Sequence, residues 1–270
     1  MKSAVTIALV PEIKNGPWVY WDDLEAGMIK ARALGFDAVE LFTGSGQAIP
    51  ARKVKDLCFI HQLSICAVGT GAGKVIHGLT LTDPDEQIRR KAIAFIEEMI
   101  TFGAELLAPA IIGSMQGNTA PGVSREQSLQ WLAEGLEILA EKAENSGVQL
   151  IYEPLNRYET NLFNQTADAV AFLQTLNSNN IKLLADLFHM NIEEQLIPDV
   201  LRQYAEYIGH VHFADSNRKA MGLGHTDMAP IANALKQINY KGFISAEVFP
   251  LPDSDTAAKQ TITSFKTWFN

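Results

Sequence analysis

The stretch "VTIALVPEIKNGPW", Val5 to Trp18, passes from an apolar run directly into Pro11, Glu12 and a loop. A doubly wound nucleotide-binding sheet would carry a G-x-G-x-x-G turn at this point, where its first strand meets a phosphate. That turn is missing, and the rest of the chain settles the choice. Short apolar runs alternate with longer amphipathic segments: "DAVELF" then "PARKVKDLCFIHQL", "SICAVGT" then "DPDEQIRRKAIAFIEEMITFGA", "VQLIYEPL" then "TADAVAFLQTL". Counted to the final pair, "GFISAEVF" and "DSDTAAKQTITSFKTWF", the alternation gives eight strand-helix units. Eight such units in about 250 residues is the arithmetic of a (β/α)8 barrel.

Helix starts are signalled by Asp83-Pro84, by Ser124 with Gln127 three residues on, by Thr166, and by Pro198 and Pro230. Gly35, Gly103 and Gly147 mark expected helix ends. Nothing between units is rich enough in Pro, Gly or Ser to be a linker. The expectation is an α/β protein, one TIM-barrel catalytic domain spanning residues 1–270.

Composition narrows the partners. With 31 acidic and 22 basic residues the formal charge is −9, which repels nucleic acid. Two cysteines, Cys58 and Cys66, form no framework and fit a reducing compartment. The N-terminal apolar run reads as a core strand, not a signal peptide, and no apolar segment approaches the ~20 residues that span a bilayer. A cytoplasmic protein with no membrane partner is expected.

Buried parallel strands read as near-continuous apolar runs, so polar exceptions are informative. Glu153 closes strand five, Asp186 with His189 strand six, His212 strand seven and Glu247 strand eight. All five fall on the rim where barrel enzymes place their active sites. Converging carboxylates repel unless a divalent cation turns repulsion into binding. A mostly oxygen donor set with one nitrogen suits Mn²⁺, Mg²⁺ or Co²⁺, with Zn²⁺ also open. His210 shares the face of His212 one layer deeper, as a core histidine or one that orients a ligand. Glu40, ending strand two, either contacts a substrate or pairs with a basic residue. Trp18 and Phe42 either wall a sugar site or pack in the core.

Several segments resemble the xylose isomerase-like TIM barrels, and within them the D-tagatose/D-psicose (allulose) ketose 3-epimerases. "EPLNRYETN" resembles their E-x-x-N-R-[FY]-E, "DLFHMNIEE" their D-x-F-H-M-N-I-E-E, and "GHVHFADSNR" their G-H-x-H-x-x-x-x-N-R. The resemblance implies one divalent ion, commonly manganese, held by Glu153, Asp186, His212 and Glu247. It implies sugar contacts from Glu159, His189 and Arg218 near C1 and C2. It also implies C3 deprotonation and reprotonation through a stabilised enediolate, with Glu153 and Glu247 as the acid/base pair. Members of this family usually form homodimers or homotetramers.

The chain departs from the family in two places. The segment after Glu247, "VFPLPDSDTAAKQ", is short, and the loop after strand seven reads "RKAMGLGHTDMAP". Gly222 and Gly224 there would let backbone approach a phosphate, with Arg218 and Lys219 supplying charge; otherwise this is a flexible loop capped by Asp227. Hydroxypyruvate isomerase, inosose isomerase or dehydratase and sugar-phosphate epimerase therefore remain alternatives, and a non-catalytic sugar-binding barrel a remote one. An AP-endonuclease-like enzyme would need more histidines than these six and a basic face.

Overall fold

The computed structural model describes residues 1–14 and 16–269. Its eight barrel strands are β1 (Lys2–Ala8), β2 (Ala38–Phe42), β3 (Ser64–Gly69), β4 (Ala110–Ile112), β5 (Leu150–Tyr152), β6 (Ile181–Asp186), β7 (Ile208–His212) and β8 (Phe243–Ala246). Each pairs in parallel with the next. β8 returns to β1 in the register Lys2↔Phe243 to Val5↔Ala246, which closes the sheet. A two-residue strand, Tyr20–Trp21, lies beside the end of β1. Around the barrel run α1 (Leu24–Leu34), α2 (Ala51–His61), α3 (Ala72–His77), α4 (Glu86–Glu105), α5 (Arg125–Asn145), α6 (Thr166–Leu173), α7 (Leu187–Glu193), α8 (Ile197–Gln203), α9 (Met228–Gln237) and α10 (Ser254–Phe269). The (β/α)8 barrel expected from the alternation is the fold observed. Among the described residues no helix is long and apolar enough to cross a membrane.

The main core fills the layer between strands and helices, where Val5, Ile7, Leu41, Met28, Ile96 and Leu136 are fully buried. The barrel interior is lined unevenly. Ala67, Ile111, Ile151 and Leu184, from β3 to β6, form a small apolar cluster. Across from it, β1, β2, β7 and β8 contribute Thr6, Glu40, His210 and Ser245, all buried. Polar side chains inside a barrel must find partners. Thr6 does so by donating to the Ala246 carbonyl at 2.8 Å and accepting from the Val19 amide at 2.9 Å.

Several local expectations need correction. Ser124 caps α5, accepting from the Gln127 amide, but α4 is capped by Asp85, which accepts from Gln87, and not at Asp83-Pro84. α6 does start at Thr166, with Gln165 at the N-cap position. Asp227 stands at the N-cap position of α9 without making a side-chain cap bond. Gly35 does terminate α1 in the left-handed region, at φ 90°, whereas Gly103 lies inside α4. A Cβ at Gly103 would stand 2.6 Å from the Ala108 carbonyl oxygen, so glycine there permits close packing of helix on chain and marks no end.

This packing distinguishes two helical glycines. Replacing glycine by alanine within a helix ordinarily gains about 1 kcal/mol. Gly103→Ala is expected instead to destabilise by roughly 1–2 kcal/mol, because the new methyl meets backbone that cannot yield. At Gly135, in α5, the nearest atoms to a Cβ all belong to the Leu81 side chain, with the Cδ2 methyl at 3.2 Å, so Gly135→Ala should be neutral or stabilising. Urea denaturation midpoints of the two variants test the difference.

Candidate active site

Four consecutive strands deliver the central cluster. Glu153 follows β5, Asp186 ends β6, His212 ends β7 and Glu247 follows β8. One ligand atom from each lies within 4.8 Å of all the others, and all four residues are buried. His212 Nδ1 stands 3.4 Å from Asp186 Oδ2 and 3.7 Å from both Glu153 Oε1 and Glu247 Oε2. Glu153 reaches this position because residue 113 is glycine: a Cβ there would collide with Glu153 Oε2. Asp186 uses its second oxygen to cap α7, accepting from the Phe188 amide at 2.7 Å and, more distantly, from that of His189.

The electrostatics follow from burial. Desolvation, with Glu247 and Asp186 alongside, pushes the Glu153 carboxyl well above the usual carboxylate range. Burial acts on Asp186 in the same direction, but His189 and His212 outweigh it and hold Asp186 low. His212 loses by burial and gains more from Glu40 and Glu247, which raise it well above an ordinary imidazole. The Glu153 Oε1 atom is buried with no hydrogen-bond partner among the described residues. Three carboxylates around an imidazole nitrogen, one oxygen of them unpartnered, form a donor set that fits a divalent cation, and Glu153, Asp186, His212 and Glu247 are the residues able to hold it.

A second set of side chains covers this cluster. Arg218 pairs through Nη2 with Glu247 and through Nη1 with Glu159 Oε1 at 3.3 Å, and its guanidinium lies 4.9 Å from the centre of the Phe188 ring. His189 is the third residue of α7 and not a strand-end residue, yet its Nε2 points back to the cluster, 3.7 Å from Asp186 Oδ2 and 3.8 Å from Glu153 Oε1. Its Nδ1 accepts the Asn156 amide at 3.3 Å and lies 2.7 Å from the Asn156 side-chain nitrogen. That leaves Nε2 as the protonated nitrogen, a buried donor without a partner among the described residues. Burial also lowers the His189 pKa, against the pull of Asp186, which favours the neutral ring. Asn156 further donates to Glu159 Oε1 at 3.0 Å. The structure thus brings Glu159, His189 and Arg218 together above the cluster.

The residues that position this layer do not stand out in the sequence. Glu193 takes the backbone amide and the guanidinium of Arg157, with contacts of 2.7–3.2 Å. Glu194 accepts from the Thr166 amide at 2.7 Å. The two glutamates closing "DLFHMNIEE" therefore fasten α7 to the segments on either side of it, the first to the loop that carries Asn156 and Glu159 and the second to the start of α6. Their signal is the length of the matched motif, which exceeds what the site residues alone need.

The cleft above the cluster is walled on its far side by Val10, Ile13, Trp18, Phe42, Ala72 and Val75. Trp18 meets Phe42 edge to face at 5.1 Å between ring centres, so both contribute to the wall. Of the two readings for Glu40, pairing with a basic residue is what the structure shows: its carboxylate contacts His210 and His212. His210 accordingly lies beside a ligand-bearing residue and not in an apolar core. The glycine loop after β7 is also resolved in one direction. Asp215 accepts the amides of Gly222, Gly224, Thr226 and Ser216 at 2.7–3.0 Å. The chain's own carboxylate occupies the anion-binding arrangement that a phosphate would need.

A sequence model described as xylose isomerase-like TIM barrel matches residues 28–268. The D-psicose 3-epimerase of Ruminiclostridium cellulolyticum is 30% identical over 86% of this chain and 82% of its own. The L-ribulose 3-epimerase of Methylomonas sp. (strain DH-1) is 32% identical over 92% and 86%. The crystal structure of D-allulose 3-epimerase from Methylomonas sp. in complex with D-allulose superposes with a TM-score of 0.81 at 22% identity, covering 100% of this chain and 97% of that one, a likeness of fold. With the match running nearly from end to end, the chain belongs to the xylose isomerase-like TIM barrel family, as an enzyme of its carbohydrate isomerase class.

Proposed function

We propose that this enzyme is a divalent-cation-dependent ketose 3-epimerase whose substrate is an unphosphorylated ketose. The observation that carries the reading is the buried convergence of Glu153, Asp186, His212 and Glu247 beneath Arg218, His189 and Glu159. Relatives that act on D-psicose and L-ribulose support the same reaction class. Glu153, Asp186, His212 and Glu247 would hold the ion, and Mn²⁺ is the proposed identity. When bound, the ion supplies positive charge that lowers the cost of negative charge developing on the sugar oxygens beside C3.

The chain's own groups divide the remaining work. Glu153 and Glu247 stand at opposite ends of the four-strand arc formed by β5 to β8. One, as carboxylate, takes the C3 proton; the other, as acid, returns a proton to the opposite face, which inverts the carbon. His189 Nε2–H and the Arg218 guanidinium provide donors for a sugar oxygen near C1 or C2. Glu159, held by Asn156 and Arg218, accepts from a hydroxyl.

Two features favour a neutral substrate. Asp215 has taken the loop amides that a phosphate would use. Among the described residues lining the cleft, Arg218 is the one lysine or arginine, and it already faces Glu247 and Glu159. The far wall is largely apolar, with the neutral Thr43, Thr70 and Ser114 as its polar members, and offers nothing to an anionic end.

Incubating Mn²⁺-loaded protein in D₂O with a panel including D-psicose, L-ribulose and ketose phosphates tests the reaction. Deuterium is expected at C3 of a free ketose together with the epimeric product. An aldose product, or exchange confined to the phosphates, would refute the proposal. Glu153→Gln and Glu247→Gln should each lower kcat by about 10²–10⁴-fold, assayed at Mn²⁺ concentrations that saturate each variant. Full turnover by either saturated variant would exclude the two-carboxylate arrangement.

A further inference from the structure

Glu40 lies in the barrel interior below the ligand cluster with no solvent exposure. Its Oε2 is 2.8 Å from His210 Nε2 and its Oε1 is 3.0 Å from His212 Nε2. An ionised carboxylate only accepts, so both rings must donate from Nε2. For His212 this fixes the other end of the ring: when the imidazole is neutral, as a metal ligand must be, its proton is on Nε2 and its lone pair on Nδ1. That nitrogen is the one facing Asp186, Glu153 and Glu247. His210 anchors the far oxygen of Glu40, so the carboxylate cannot rotate away without losing a buried hydrogen bond.

The same atoms also form a group of Glu40, Cys66 and His210 with the spacing of a metal site. That use conflicts with the bonding. Both Glu40 oxygens already receive N–H donors, and Cys66 Sγ stands 3.9 Å from Oε2 with its thiol pushed up by burial. A thiolate ligand is disfavoured there.

We propose that Glu40 is a positioning residue for the divalent-cation site: by accepting from His212 Nε2–H it sets the tautomer and aim of the ring, presenting Nδ1 to the ion. The inference rests on the reading that Glu153, Asp186, His212 and Glu247 take a divalent cation. Partners that orient a ligating histidine typically change metal affinity by 10–100-fold when removed. In Glu40→Gln the amide can accept from one imidazole but turns an NH₂ group towards the other, so His212 loses its fixed orientation.

The test titrates metal-stripped protein with Mn²⁺ and follows the free-ion electron paramagnetic resonance signal, alongside far-ultraviolet circular dichroism. Glu40→Gln is expected to weaken Mn²⁺ binding by about 10–100-fold with the fold retained, and Cys66→Ala, in the same interior, to leave affinity unchanged. Wild-type affinity in folded Glu40→Gln would overturn the role of Glu40 alone. An equal loss in Cys66→Ala would reduce it to general packing and overturn it too. Failure of the wild-type protein to bind Mn²⁺ would overturn the metal-site reading and this inference with it. A second measurement needs no variant: in wild-type protein loaded with diamagnetic Mg²⁺, ¹⁵N–¹H imidazole spectra should place the His212 proton on Nε2. A proton on Nδ1 would overturn the proposal even if Glu40→Gln does not fold.

Discussion

Everything at the mouth of this barrel depends on four buried ligand atoms held within 4.8 Å of one another, three of them carboxylate oxygens. Like charges this close and this desolvated are among the least favourable arrangements a fold can hold without compensation. Parallel strands make it sustainable mechanically, since each group stands at the end of a strand whose neighbours on both sides are hydrogen-bonded and packed. Chemically the compensation is partial. Glu153 keeps an unpartnered oxygen and a raised pKa, the signature of a site arranged for a group that the side chains do not themselves provide.

The surrounding structure is best understood as two supports with different rigidity. From below, Glu40 and His210 brace His212 through the polar half of the interior, where nothing needs to move. From above, Arg218, His189 and Glu159 are held by loops, and those loops are fastened at discrete points: Arg157 to Glu193, Thr166 to Glu194, Asn156 to His189. Acidic groups on strands and the covering side chains on fastened loops would match the two demands of the proposed chemistry, a fixed charge cluster and a cleft that admits a substrate.

How much of this is legible in the chain depends on the range of the signal. Strand periodicity is local, so the eight units can be counted from sequence. Glu153, Asp186, His212 and Glu247 stand out because each breaks an apolar run at its C-terminal end. His189 reads as a strand-end residue because the run "IKLLADLFHM" gives no sign that Asp186 turns the chain into α7 by capping it. Glu40 stays undecided in the sequence because its partners lie 170 and 172 positions away, and only closure of the barrel brings β2 and β7 across the lumen to meet. The packing roles of Gly113 and Gly103 are equally out of reach, because the atoms they make room for, a Glu153 oxygen and the Ala108 carbonyl, become their neighbours only when the chain has folded.

The loop after β7 shows why a motif of glycines and basic residues is not in itself a ligand site. Backbone amides of Gly222, Gly224, Thr226 and Ser216 converge as they would on an anion, but the anion is the side chain of Asp215. Those four donors hold the carboxyl low despite its burial, so the loop is closed on itself. The same closure sets the backbone of Arg218, whose amide donates to the Asp215 carbonyl at 2.8 Å and whose φ of 57° turns the guanidinium over the cluster. Positive charge that could otherwise meet a phosphate is thereby turned inward onto Glu247 and Glu159. Under the proposed function, this arrangement would leave the oxygens nearest the reacting carbon to Arg218, His189 and Glu159.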